Sequence, residues 1–85
     1  MPIPRYTMEE HARLSKAMYE EKIRPLVEVG NKGKIVAIDV DTGEYELGEE
    51  PLPTAKRLLA RLPDAQIWCE RIGHRGVWRF GARGQ

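Results

Sequence analysis

One cysteine, Cys69, and two histidines, His11 and His74, are all this 85-residue chain offers to thiol or soft-metal chemistry. No intrachain disulfide can form, and the ligand set of a zinc finger is missing. Long apolar runs are missing too, since no window approaches the roughly 18 consecutive apolar residues that span a bilayer. The first residues, Met1-Pro2-Ile3-Pro4-Arg5, lack the apolar stretch of a secretory signal. The expectation is a cytoplasmic protein with no membrane attachment. At 85 residues the chain is read as a single domain, 1–85, with one small core. What is present is 41% hydrophobic and 32% charged residues at a mean hydropathy of −0.54, a composition that folds and excludes collagen-like and disordered chains.

An excess of charge of one sign is lacking overall, because the net charge is only +1, but the charges are unevenly placed. Up to Ala55 there are 7 Lys/Arg and 11 Asp/Glu; after it, 7 and 2. A basic C-terminal part suits an acidic partner or nucleic acid, whereas a near-neutral total suits an acidic half folded against a basic one. Little net repulsion also leaves association with a copy or a partner open.

Thr7-Met8-Glu9-Glu10 is a capping box, in which the Thr7 hydroxyl and the Glu10 carboxylate each satisfy the other residue's amide. It predicts an N-terminal amphipathic helix over 7–24, with Met8, Ala12, Leu14, Met18, Tyr19 and Ile23 on the apolar side and His11 exposed. Pro25 disfavours helix at Arg24, which predicts an end there and an extended Leu26-Val27-Glu28-Val29.

From Lys34 to Val40 the period becomes two. Val36, Ile38 and Val40 alternate with Ile35, Ala37 and Asp39, a strand apolar on both faces. Asp41-Thr42-Gly43 then turns the chain into an antiparallel return over Glu44-Tyr45-Glu46-Leu47. Leu52, Ala55, Leu58, Leu59 and Leu62 form a helical stripe ended by Pro63. Gln66 to Ile72 and Val77 to Phe80 read as a second hairpin, and 81–85 as a tail.

The fold class is therefore α+β: an N-terminal helix followed by a ββαββ unit over 34–80, forming one four-stranded sheet with a helix on one face. Leu52, Leu58, Leu59 and Leu62 are expected against that face. In the second hairpin Trp68, Ile72, Trp78 and Phe80 share one parity, placed under the middle helix, and Ile67, Cys69, Arg71, Val77 and Arg79 the other. The uncovered face needs the N-terminal helix, a second subunit or a partner, and the expectation favours a partner or self-dimer.

The run Tyr19 to Ile23, then Arg24-Pro25-Leu26-Val27-Glu28, Gly33-Lys34, Ile38-Asp39, Thr42-Gly43-Glu44-Tyr45-Glu46 and Arg71-Ile72-Gly73-His74-Arg75 stand in a recognisable order. Over about Ala17 to Gly81 the chain resembles a family of small uncharacterised bacterial proteins, plentiful in cyanobacteria. The resemblance implies kinship with small partner proteins encoded beside toxin-like or retropepsin-like peptidase genes. The first 16 residues and the tail lie outside it.

Few constellations carry chemistry. Asp41-Thr42-Gly43 matches the tripeptide of retropepsin-like peptidases, but those need an all-β setting and small residues next, where Glu44 follows. Asp39, Asp41 and Glu50 match positions 1, 3 and 12 of a calcium loop, yet the glycine falls out of register, so no metal is expected. Cys69 and His74 are five residues apart, about 15 Å at 3.3 Å per strand residue, too far for a nucleophile pair. No catalytic residue and no cofactor is expected.

The reading is a small non-catalytic binding or assembly protein, acting through self-association or a protein partner. Its expected anchors are Leu14, Met18 and Tyr19 in the helix and Trp68, Arg71, Trp78 and Arg79 in the hairpin. The alternative is an antitoxin-like nucleic-acid binder in which Arg71, His74, Arg75, Arg79 and Arg83 contact phosphates.

Overall fold

A computed structural model describes residues 6–73 and 77–79. The first helix, α1 (Met8–Met18), starts at the expected capping box, with the Thr7 Oγ accepting from Glu10 N and the Glu10 carboxylate accepting from Thr7 N. The Thr7 amide and hydroxyl hold the Glu10 carboxyl below its usual value. This cap is therefore complete above the unfolded carboxylate range and is lost as pH falls through the folded value.

The helix does not stop at Pro25. It passes through a π-helical turn, Tyr19–Ile23, into α2 (Arg24–Val27), where Pro25 occupies the first turn and needs no amide partner. The buried residues of the whole segment are His11, Ser15, Tyr19, Ile23 and Val27, one every four positions. On a straight α-helix such a ladder drifts by about 40° per step, roughly 160° in all. The wider π turn advances less per residue and takes back much of that drift, keeping the ladder on the sheet. His11, expected in water, is 1% exposed, while Met8 and Leu14 of the expected apolar side are exposed.

Strand β1 (Ile35–Asp39) is fully buried, as its apolar alternation requires. It pairs antiparallel with β2 (Tyr45–Gly48) on one side and with β3 (Ile67–Arg71) on the other. This three-stranded antiparallel sheet is continued by the short β4 (Val77–Arg79) along β3, in the order β2-β1-β3-β4. Between β2 and β3 runs α3 (Pro51–Arg61). The register sets Cys69 opposite Trp78 and Trp68 opposite Arg79, so the expected common parity of Trp68 and Trp78 does not hold. Phe80 lies outside the described residues.

Two cores flank the sheet. On one face Ala55 and Leu58 of α3, with Leu59 and Leu62 partly buried, pack on Ile35, Ala37, Ala65, Ile67 and Cys69. On the other, Tyr19, Ile23 and Val27 pack on Val36, Ile38 and Ile72, with Met18, Tyr45 and Leu47 at the margin. The expected faces of β3 are thus exchanged: α3 covers Ile67 and Cys69, and the N-terminal helix covers Ile72. The expectation that a partner or a second copy covers the free sheet face is overturned, because the chain's own first helical segment lies there. Leu52, expected in the α3 stripe, is 51% exposed, and Thr54 takes the buried place beside Ala55.

The α1 end of this cover is weakly apolar, since its buried residues are a histidine and a serine. The Ser15 hydroxyl finds no hydrogen-bond partner among the described residues. A buried unsatisfied hydroxyl costs about 1–3 kcal/mol. Ser15→Ala is expected to stabilise the fold by about 1 kcal/mol, raising Tm by about 4–8 °C in a thermal melt. A lower Tm would contradict this packing.

Candidate functional site

Along the outer side of the first helical segment, Glu20, Arg24 and Glu28 fall four apart, and at that spacing their side chains meet. Arg24 Nη1 donates to Glu20 Oε1 at 2.7 Å and Arg24 Nε to Glu28 Oε2 at 3.0 Å. These pairs raise the guanidinium's affinity for its proton, with the Glu20 hydrogen bond the larger cause. All three side chains are well exposed, so the ladder shapes the surface more than it stabilises the fold.

Facing this ladder are Glu70 and Arg71 at the end of β3, with Lys32 from the α2–β1 loop and Gly73 beside them. Together with Tyr19 they line an open groove of about 680 Å³. Gly73 has φ of +78°, and a Cβ there would sit 2.7 Å from Lys32 Cγ, so any other residue would strain the backbone and push the Lys32 side chain aside. Burial pushes the Glu70 carboxyl up; the hydrogen bond from Trp68 Nε1, at 3.2 Å, acts in the opposite direction, and Glu20 adds a smaller upward push. The Tyr19 phenol is pushed up by burial first and then by Glu70 and Glu28. Arg71 Nη1 donates to Gly33 O at 2.9 Å, tying the end of β3 to the loop before β1.

Of the seven expected anchors, Tyr19 and Arg71 therefore meet in one groove. Met18 is half-buried at the margin of the core beneath, and Leu14 stands on the exposed side of α1. Trp68 is 5% exposed, lying edge-on to His11 at a ring distance of 5.5 Å under the first helix, so a partner reaches it only by displacing that helix. Trp78 and Arg79 have a described backbone only, and His74, Arg75 and Arg83 lie outside the described residues. Glu20, Arg24, Glu28, Lys32 and Glu70 were not singled out from the sequence. The i, i+4, i+8 charge ladder is the readable signal for three of them, but Pro25 in the middle of it reads as a helix end.

The other constellations are occupied by structural work. The Cys69 thiol is fully buried and pushed up to about 12 by desolvation, so it holds its proton at neutral pH. Asp41 accepts from the Tyr6 hydroxyl at 2.5 Å. Asp39, 2% exposed, caps the hairpin turn: its Oδ1 accepts from Gln66 N at 2.9 Å and Asp41 N at 3.2 Å, and its Oδ2 from Thr42 Oγ1 at 2.9 Å. The cap is thus supplied by Asp39, two residues before the Asp41-Thr42-Gly43 turn that the sequence marks. Among the described residues no group of three or more His, Cys, Asp or Glu side chains could hold a metal, and no helix is long and apolar enough to cross a membrane.

What the groove can do is recognise charge. Its size suits a ligand, but pockets for small molecules are mostly apolar and enclosed, whereas this one is open and lined by both signs of charge. Compared with known proteins, the chain matches no family model, no curated protein and no solved structure.

Proposed function

We propose that this chain is a non-catalytic binding protein of the cytoplasm, and that the groove between the first helical segment and the end of β3 docks a protein partner. The observation that carries this reading is the gathering of Tyr19, Glu20, Arg24, Glu28, Lys32, Glu70 and Arg71 around one open concavity. Mixed charge over a buried aromatic selects a partner by electrostatic complementarity and steers its approach. A protein partner is favoured over a second copy because the sheet face that called for self-association is covered by the chain's own helix. A sheet completed by β4 as its fourth strand, and membership of the cyanobacteria-rich family of small uncharacterised bacterial proteins, belong to the same reading. The nucleic-acid alternative draws on the basic C-terminal part, yet Arg71, the member of that cluster with a described side chain, already donates to Gly33 O.

The test is native mass spectrometry of the tagged chain recovered from its own cells, with and without nuclease. A stoichiometric protein complex should survive nuclease. The charge swap Glu28→Lys with Lys32→Glu, which leaves net charge unchanged, should lower its occupancy at least tenfold, since like charges brought together cost several kcal/mol. Bound mass that vanishes with nuclease, or a complex indifferent to the swap, would overturn the reading.

A further inference from the structure

Among the described residues strand β2 borders the sheet, and its backbone shows which groups face outward. Asp39 N donates to Glu44 O at 2.9 Å, which makes that directly opposed pair a hydrogen-bonded one. In an antiparallel ladder such pairs alternate, so Glu46 and Gly48 face β1, and the carbonyls of Tyr45 and Leu47 point away from the sheet. Both outward carbonyls are taken by arginines of α3. Arg61 Nη2 donates to Tyr45 O at 3.0 Å and Arg57 Nη2 to Leu47 O at 2.6 Å. The same two guanidinium groups hold the strand's acids, with Arg61 Nη1 at 3.2 Å from Glu44 Oε1, Arg61 Nε at 2.9 Å from Glu46 Oε2 and Arg57 Nε at 3.7 Å from Glu46 Oε1.

We propose that Arg57 and Arg61 hold the β2 edge shut against a second copy of this chain. An open edge is a template for pairing with another strand, and a copy is the strand always present at equal concentration. The outward residues 45 and 47 let two copies of β2 pair antiparallel about Glu46, each Tyr45 opposite the other's Leu47. That register sets Glu46 against its own counterpart at a Cα separation of about 4.5 Å, the close pair of the ladder. The guanidinium groups occupy the acceptors such a pairing needs, and the two glutamates oppose it by like charge. The closure is independent of the groove: it says where copies do not join, whatever the groove binds.

Removing the arginines alone would leave the glutamates repelling across the dyad. The opening variant therefore neutralises all four, Glu44→Gln, Glu46→Gln, Arg57→Gln and Arg61→Gln, at no change in net charge. In sedimentation equilibrium it should associate at least tenfold more tightly than the wild type. Glu46→Cys placed in the opened background with the other three changes should cross-link to its own copy under mild oxidation, and at least tenfold faster than Glu46→Cys alone. If the fourfold variant does not fold, Arg57→Lys with Arg61→Lys, which keeps the charge but gives up the forked reach to the carbonyls, should raise the Glu46→Cys cross-linking rate in the same direction. A folded opened variant that associates no better than wild type, or equal cross-linking with and without the arginines, would overturn the proposal.

Discussion

Replacing Asp39 with alanine is expected to lower the stability of this fold by about 3 kcal/mol, the loss following from one buried donor and two turn donors left without their acceptor. The Gln66 amide is the costly one, because Gln66 is buried immediately before β3 and its N–H points at Asp39 Oδ1. Asp41 N and Thr42 Oγ1 lie at the exposed turn and can turn to water, so they add less. For a domain of this length such a loss corresponds to a Tm lower by about 12–24 °C. Asp39→Asn, which keeps one carbonyl oxygen for the Gln66 amide, should cost about 1 kcal/mol, the worth of the hydrogen bond from Thr42 that it forfeits. Equal melting of Asp39→Ala and wild type would show that the hairpin turn and β3 are not joined through this carboxylate.

Gly48→Ala should be comparably damaging for a steric reason. A Cβ at Gly48 would lie 2.1 Å from Thr54 Oγ1, 2.6 Å from Arg57 Nη2 and 3.2 Å from Thr54 Cβ. Thr54 is fully buried, with its hydroxyl donating to Glu50 O at 2.6 Å, so it has no room to retreat. The end of β2 must instead lift from α3, at a cost of about 3 kcal/mol, the upper end for an overpacked site. Adding Thr54→Ala should recover part of that loss, a coupling of about 1 kcal/mol or more measurable by urea denaturation of the two single variants and the double. Strict additivity of the two changes would contradict the contact.

How much of this was readable in the sequence depended on whether the pattern was local. The capping box at Thr7 and Glu10, the two-sided burial of β1 and the α3 stripe around Ala55 and Leu58 rest on short-range spacing, and each is found where the sequence put it. The helix through Pro25 was not readable, because a proline rule that holds in an α-helix interior gives way at the first turn of a new segment after a π turn. His11 and Ser15 were missed because a hydropathy stripe gives no weight to a histidine and a serine. The tertiary partners of His11, among them the Gln66 carbonyl 3.1 Å from its Nε2 and the Trp68 ring, are what turn that end of the face inward. Of the groove, Tyr19 and Arg71 were named from the sequence for the apolar stripe and the basic hairpin separately. Their meeting depends on the first segment lying across the sheet, a long-range packing choice that spacing does not encode.

That the chain covers both faces of its own sheet, and so leaves association to the groove, is tested most directly by sedimentation equilibrium of the isolated protein over a wide dilution series with helix content followed in parallel. A 9.7 kDa species with constant helicity at every concentration is the predicted result. A mass that doubles on concentration, with helix lost on dilution, would mean that a second copy covers the sheet, contradicting the packing of Tyr19, Ile23 and Val27 on Val36, Ile38 and Ile72.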